Sequence, residues 1–342
     1  MKKIIIRVDA SNEIGYGHLI RCITISKYFL KNFFDCTIVL KHYDSDCIKI
    51  LSNYNKLKFK LIKKEEDILL LSSISEKQII ILDINNEFSF KSKRSYKSYI
   101  SFLKKNNFFT ISFEDFYIKK SISNITIIPY VGAKDIFKNK ILKSNYLFGE
   151  RYFIFRDEFI DSAKVRIKKR VENLFICMGG SDPGYLTEKY LKFLNCSKYK
   201  PNLKIILKNI DINRKKNIKN ILKDYYKYEL IINPKNISEI MLSSDLGIVN
   251  SGLIKYETAF LGLPCLSVSN DLKHEKVMSF FVKKSNCIHL GISKKSSKKI
   301  FNIQFDRIIE DYSLRKLLSK RGKNLFDGKG KERLFNIVSK LI

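Results

Sequence analysis

Through most of this 342-residue chain, apolar runs of strand length alternate with amphipathic stretches of helix length, and no other feature restricts the fold as much. Ile4–Val8, Cys36–Leu40, Leu57–Ile62, Gln78–Asp83 and Phe108–Phe113 read as strands, with helical patterns between most of them. Strands separated in this way run parallel, because each helix carries the chain back to the end where the previous strand began. A further apolar segment, Ile125–Pro129, reads as the end of this first sheet. Periodicity weakens across Arg156-Asp157-Glu158-Phe159 and the charged stretch to Glu172, then restarts at Leu174-Phe175-Ile176-Cys177-Met178. Strands follow near Leu203–Leu207, Glu229–Ile232, Leu246–Asn250 and Pro264–Val268, each again followed by helix-length sequence. The reading is two doubly wound α/β domains with parallel sheets, over residues 1–160 and 161–325, their boundary falling between 150 and 170. Residues 326–342 read as a helix after Gly328 and Gly330 that can cross back onto the first domain.

Composition narrows the function classes. The seven cysteines, Cys22, Cys36, Cys47, Cys177, Cys196, Cys265 and Cys287, are scattered, odd in number and lack a Cys-x-x-Cys pair. They read as buried, reduced thiols rather than a disulfide framework or a zinc site. None of the four histidines, His18, His42, His274 and His289, pairs at His-x-x-x-His spacing, so no metal site is expected. No apolar stretch approaches the ~18 residues that suggest a membrane span. Asp9 and Glu13 interrupt the first isoleucine run before an export signal could be completed, and a cytoplasmic protein is the expectation. The formal charge of +31 would attract phosphates, nucleic acid or an anionic membrane surface. Its lysines are spread along the whole chain and no nucleic-acid module accompanies them. A phosphorylated small substrate is therefore expected, with no nucleic acid and at most a weak attraction to membrane surfaces.

Three turns carry candidate chemistry. The first strand breaks into Ala10-Ser11-Asn12-Glu13-Ile14-Gly15-Tyr16-Gly17-His18, and a helix is expected from about Gly17. Gly15 and Gly17 let the backbone approach a ligand, while the helix start aims N–H groups into the same space. His18 in that first turn can cap, pack or act as a base. The second domain opens with Met178-Gly179-Gly180-Ser181-Asp182-Pro183-Gly184 between a strand and a helix, a turn that can cradle phosphate without being a P-loop. A third turn, Asn250-Ser251-Gly252, precedes a helix ending at Gly262-Leu263-Pro264; Ser251 can serve as its N-cap or meet a pyrophosphate. Glu257, one to two turns into that helix, can accept two ribose hydroxyls or stay solvated.

Together, Gly15-Tyr16-Gly17-His18 with Arg21, Gly179-Gly180-Ser181-Asp182, Ser251-Gly252 with Tyr256-Glu257 and Gly262-Leu263-Pro264, and Asn270 resemble UDP-sugar hydrolases of the pseudaminic-acid pathway. Their substrate is UDP-2,4-diacetamido-2,4,6-trideoxy-β-L-altropyranose. The wider group includes spore-coat-polysaccharide proteins, and it is similar in fold to the N-acetylglucosaminyltransferase that makes lipid II. The resemblance implies a GT-B architecture, two Rossmann-like domains with a UDP-sugar in a central cleft and no cofactor. It also implies Glu257 on the ribose, the Gly179-Gly180 and Ser251-Gly252 turns around the nucleotide, His18 reaching across, and Asn270 as an active-site asparagine. Where those hydrolases carry Asp-His-Tyr after the fourth strand, this chain has Asp83-Ile84-Asn85, so its sugar pocket is altered; Asn270-Asp271 likewise replaces their Asn-Gln pair.

Hydrolysis at the anomeric carbon needs a base for water and stabilisation of departing UDP. His18 is the candidate base, and the glycine turns, aided by Arg21, would meet the pyrophosphate. Asp9, Glu13, Asp83 and Asp115 all fall near strand ends and could orient His18, with His274 as a second histidine for the same site. A glycosyltransferase using the same residues on an acceptor hydroxyl is the alternative. A third reading, from another class, is a basic nucleic-acid-binding protein.

Overall fold

The computed structural model describes residues 2–71, 78–84, 89–90, 92–113, 121–137, 145–180, 182, 184–208 and 210–341. They form two compact units, Met1–Arg156 with Gly328–Ile342, and Asp157–Asp327.

In unit 1 the strands β1 (Lys3–Val8), β2 (Asp35–Leu40), β3 (Lys58–Leu61), β4 (Gln78–Asp83), β5 (Phe108–Phe113), β6 (Ile125–Ile128) and β7 (Tyr146–Phe148) form one sheet in the order β3-β2-β1-β4-β5-β6-β7. Every recorded pairing is parallel. Helices α1 (Gly17–Lys31), α2 (Ser45–Ser52), α3 (Lys93–Lys105) and the short α4 (Ala133–Ile136) intervene. The chain does not close this sheet at β6: Tyr146–Phe148 adds a three-residue edge strand, too short to show an alternation in sequence. Both faces are covered, which is why β1 and β4 read as unbroken isoleucine runs. Ile4, Ile6 and Val8 face Leu19, Cys22 and Phe29 of α1, while Ile5, Ile80 and Leu82 face Tyr96, Ile100 and Leu103 of α3. The C-terminal helix of the chain belongs to this unit, where Phe335 packs edge-on against Tyr28, Phe29 and Phe34.

Unit 2 repeats the plan. Strands β8 (Asn173–Cys177), β9 (Asn202–Leu207), β10 (Tyr228–Ile232), β11 (Leu246–Asn250), β12 (Cys265–Ser269) and β13 (Cys287–Ile292) take the order β10-β9-β8-β11-β12-β13. Its helices are α5 (Asp157–Ile160), α6 (Leu186–Asn195), α7 (Ile212–Ile221), α8 (Ile237–Leu242), α9 (Ile254–Leu261), α10 (Leu272–Lys284), α11 (Lys298–Glu310) and α12 (Tyr312–Leu325); α13 (Gly330–Ser339) is the helix returned to unit 1. One face of the sheet packs Leu174, Ile176, Leu246 and Ile248 against α6 and α11. Its other face buries Ser267, Ser269 and the Cys265 and Cys287 thiols beside Phe175 and Val249. Six of the seven cysteines are buried and Cys196 is exposed; none is joined in a disulfide among the described residues.

Sheet order decides where chemistry can occur. In each unit the strand order reverses between the first strand and the fourth, so the helices leave to opposite faces and open a crevice at the carboxyl ends. That crevice lies beside β1 and β4 in unit 1, and beside β8 and β11 in unit 2.

Candidate functional site

The loop after β1 is held in shape before it reaches His18. Gly15 has φ +87°, a left-handed conformation in which a side chain would be strained, and its N–H donates to Ser11 O at 2.7 Å. Asp44, which caps α2, accepts from the Asn12 N–H at 2.9 Å and the Tyr16 hydroxyl at 2.7 Å. Among the described residues no side chain caps the start of α1, and its first turn holds no acidic residue. The positive end of α1 therefore faces whatever occupies the crevice.

His18 leans across the switch point onto β4. Its Nδ1 lies 2.6 Å from Asp83 Oδ1, and Asp83, the last residue of β4, is fully buried while the His18 side chain is 22% exposed. Arg21, one turn further along α1, donates from Nε to Asp83 Oδ2 and from Nη2 to Oδ1, both at 2.7 Å, and its guanidinium rests over Phe113. Nη2 also comes within 3.1 Å of His18 Nδ1, but both cannot donate to each other. The shorter carboxylate contact assigns the proton to Nδ1, which leaves Nε2 as the unprotonated nitrogen of the neutral ring. Burial alone would raise the Asp83 pKa; the charges and hydrogen bonds of Arg21 and His18 outweigh it and hold the carboxyl well below its usual range. The group is a histidine whose tautomer is set by a buried carboxylate held ionised at neutral pH.

Of the four acids named as possible partners of His18, Asp83 alone makes this contact among the described residues. Asp9 is engaged elsewhere: it is fully buried, paired with Arg7 and accepting from the Lys41 and His42 N–H groups. Glu13 is exposed, and Asp115 lies outside the described residues, as does Asn85. Arg21 is 3% exposed and holds Asp83, so its geometry suits positioning rather than direct contact with a phosphate.

In unit 2 one residue that the sequence reading passed over joins the two glycine turns. Asn250, the last residue of β11, donates from Nδ2 to Met178 O at 2.5 Å and accepts at Oδ1 from the Gly252 N–H at 3.0 Å. The Gly179 turn and the Ser251-Gly252 turn are thereby stitched across the switch point. Gly179 has φ +87°, and a Cβ there would lie 2.7 Å from Asn250 Nδ2, so only glycine fits. Ser251 does not cap α9, whose N-cap position is Leu253 without a side-chain bond. Its hydroxyl is buried with no partner among the described residues, and Asn270 Oδ1, at the end of the neighbouring β12, is in the same condition. Buried polar atoms are nearly always satisfied, so such a pair at the carboxyl ends of adjacent strands is what a polar ligand would complete. Glu257 lies in the first turn of α9 at 8% exposure. Lys255, also buried, closes off the Ser251 and Gly252 carbonyls.

The remaining candidates have structural partners. Asp182 accepts from the Leu186 N–H at 3.0 Å and pairs with Arg214, which also grips Glu188; burial pushes the Asp182 carboxyl up. Gly180 is exposed beside it, and Ser181 lies outside the described residues. His274 is half-buried and bonds to Asp271 at 2.9 Å, beside its own helix start. The candidates thus fall into two groups: Gly15, Gly17, His18 and Arg21 in unit 1, and Gly179, Gly180, Asp182, Ser251, Gly252, Glu257 and Asn270 in unit 2. Among the described residues no cluster of three potential metal ligands occurs, and no helix is long and apolar enough to cross a membrane.

No protein-family model matches the chain. It is 28% identical over 306 residues to an uncharacterized protein of Methanocaldococcus jannaschii, a match covering 84% of this chain and 60% of that protein's length. It is 23% identical to the spore coat polysaccharide biosynthesis protein SpsG of Bacillus subtilis, over 97% of this chain and 96% of that one. It is 24% identical to the UDP-2,4-diacetamido-2,4,6-trideoxy-beta-L-altropyranose hydrolase of Campylobacter jejuni, over 82% of this chain and 97% of that enzyme. Among solved structures it is similar to Acinetobacter baumannii MurG, with a TM-score of 0.69 at 10% identity over 99% of this chain and 100% of that one. The UDP-GlcNAc 2-epimerase of Neisseria meningitidis bound to UDP-GlcNAc follows with a TM-score of 0.64 at 12% identity, over the same shares. The fold is that of GT-B glycosyltransferase-like proteins, and the chain is a distant homologue of the two groups its motifs resemble.

Proposed function

We propose that this protein hydrolyses a UDP-activated amino sugar, releasing UDP and a free acetamido-trideoxy sugar for a nonulosonic acid of the pseudaminic type, with His18 as the general base. The observation that carries the reading is the His18–Asp83–Arg21 arrangement at a switch point, because a carboxylate-oriented imidazole beside a helix start is built to take a proton. The relative named a UDP-sugar hydrolase and the fold shared with a UDP-GlcNAc-bound epimerase support the substrate class.

In the proposed reaction a water oxygen bonds to the anomeric carbon as the bond from that carbon to the β-phosphate oxygen breaks. The water proton goes to His18 Nε2, UDP departs with the electron pair, and attack opposite UDP inverts the centre. Glu257 would take the ribose hydroxyls, while Ser251, Gly252 and the Gly179-Gly180 backbone, together with Asn270, meet the diphosphate. Arg21 keeps Asp83 ionised and in place; it need not touch substrate.

The test is incubation with a panel of UDP-amino sugars, following UDP and reducing sugar together and comparing His18→Ala with the parent. Hydrolysis by the parent and its loss in the variant are expected. No turnover of any member, or full activity in the variant, would sink the reading. The likeness to MurG favours one alternative, a glycosyltransferase in which the same base deprotonates an acceptor hydroxyl. That enzyme would release little UDP until an acceptor is added.

A further inference from the structure

We propose that His289 is a positioning residue for the substrate site of unit 2: held as an imidazolium between Glu275 and the backbone of β12, it docks the first turn of α10 and so fixes Asn270. What Asn270 binds rests on the function proposed above; the clamp itself rests on geometry.

Both ring nitrogens of His289 face acceptors. Nε2 lies 2.7 Å from Glu275 Oε2, and Nδ1 lies 3.1 Å from the main-chain oxygen of Ser267, which has no proton to give. A neutral imidazole carries one N–H and would leave one of these contacts as lone pair against lone pair. Two protons satisfy both. The Ser267 hydroxyl, 3.3 Å from Nδ1, and the Ser269 hydroxyl, 3.3 Å from Nε2, can each accept from the ring or donate to it. The ring is largely enclosed, its side chain 13% exposed against 34% for Glu275. The carboxyl of Glu275 is held below its usual range: burial would raise it, and hydrogen bonds from His289 and Ser269 together with the ring's charge outweigh that.

The connection to Asn270 is short. Only Asn270 and Asp271 separate Ser269, the last residue of β12, from Leu272, the first of α10. Glu275 donates its backbone N–H to Asp271 O at 3.1 Å, so its side chain fastens the helix start to the sheet. Ser293, just past β13, adds a second grip through its N–H to Ser269 O at 2.8 Å. Asn270 Oδ1 is then presented, buried and without a partner among the described residues. Other titratable groups near the ring are Cys287 on its own strand, Lys255 from α9, whose charge reaches Cys287, and Lys189 from α6, whose Nζ donates to Ser293 O. As pH rises and the ring loses a proton, one of its two contacts fails, α10 loosens at its start, and nucleotide-sugar affinity falls.

Side-chain ¹⁵N NMR of the full chain reads the ring directly, and calorimetric titration with UDP between about pH 6 and pH 9 reads the consequence. For the parent we expect two protonated ring nitrogens on His289 at neutral pH, and weaker UDP binding as that signal titrates. His289→Gln and Glu275→Gln should each bind UDP about tenfold more weakly at the acid end and lose the pH slope. One protonated nitrogen at neutral pH, or parental affinity and slope in His289→Gln, overturns the proposal. A parent that binds no UDP refutes the functional reading instead. In that case the Asn270 side-chain amide resonance decides: it should shift in step with the His289 titration in the parent, and independence of the two overturns the clamp. That last measurement needs no variant to fold.

Discussion

Replacing Asp83 by Asn removes one charge and keeps the shape, which isolates what the carboxylate does. Asp83 accepts from His18 Nδ1 at 2.6 Å, from Arg21 Nε and Nη2 at 2.7 Å each, and from the Cys22 thiol at 3.6 Å. An asparagine has one oxygen to offer these donors. With that oxygen toward Arg21, the amide N–H groups face His18 Nδ1 and force the proton onto Nε2, so the base is lost. With the oxygen toward His18, an N–H points at the Arg21 Nε–H across 2.7 Å, and a guanidinium that is 3% exposed loses the carboxylate it grips with two nitrogens. Breaking a buried pair on one side costs about 3–5 kcal/mol, which for a unit of this size lowers the melting temperature by roughly 6–20 °C. Loss of the correct tautomer costs about a thousandfold in kcat, or about 4 kcal/mol of transition-state stabilisation. KM should change little, since the residues assigned to the nucleotide are elsewhere in the chain. The assay is UDP release at a temperature well below the variant's own melting point. The double variant Arg21→Met/Asp83→Leu, which removes both charges, should recover stability without recovering activity. If Asp83→Asn keeps kcat within about threefold of the parent while folded, the carboxylate does not set the tautomer and the argument collapses.

Three other outcomes follow from the same geometry. Ser251→Ala removes a buried hydroxyl that lacks a partner, so the ligand-free protein should melt at the same temperature or higher while UDP binds about five- to tenfold more weakly; a destabilised protein with unchanged affinity would make Ser251 structural. Gly179→Ala places a methyl 2.7 Å from Asn250 Nδ2 at φ +87°, and calorimetry should show unit 2 losing about 1–3 kcal/mol together with weaker UDP binding. Asp83 and Asp9 both have folded pKa values depressed below the unfolded one of about 3.9, so their stabilisation is present above that pH and is lost only as pH falls through the lower folded values. Acid titration followed by circular dichroism should find unit 1 holding through the ordinary carboxylate range, and Asp83→Asn should flatten the acid-side slope; an unchanged slope contradicts the assignment.

What the sequence made legible was whatever depends on local pattern. Isoleucine runs buried on both faces announce central parallel strands, and Gln78–Asp83 and Phe108–Phe113 match the observed bounds. Tyr146–Phe148 is too short to show a period, and Cys287–Ile292 hides because a histidine and a glycine interrupt its apolar residues. The turns at Gly15, Gly179 and Ser251 are visible because glycine in a strand-to-helix junction has few other uses. What joins them is not. Asp83 stands 65 residues from His18, and only the placement of β4 beside β1 makes it the partner rather than Asp9 or Glu13. Asn250 looks in sequence like the end of a strand, and its bond to Met178 spans 72 residues. Arg21 reads as an available cation until Asp83 is seen to occupy it.

Two of the three histidines with carboxylate partners, His18 and His289, show why residue type alone could not assign chemistry here. His18 meets a carboxylate at one nitrogen, and that contact fixes a single proton on Nδ1 and leaves the other nitrogen able to take one. His289 meets the Glu275 carboxylate at Nε2 and the Ser267 carbonyl at Nδ1, the two acceptors on which its proposed double protonation rests. In the readings proposed above His18 is the base and His289 a structural cation, and the Ser267 carbonyl at Nδ1 is what makes the second so. Their pH requirements are consequently opposite, His18 working when neutral and His289 when charged. If both readings hold, turnover has an acid limb set by His18 and an alkaline limb set by His289, and removing the Glu275 carboxylate should abolish the alkaline limb while leaving the acid one in place.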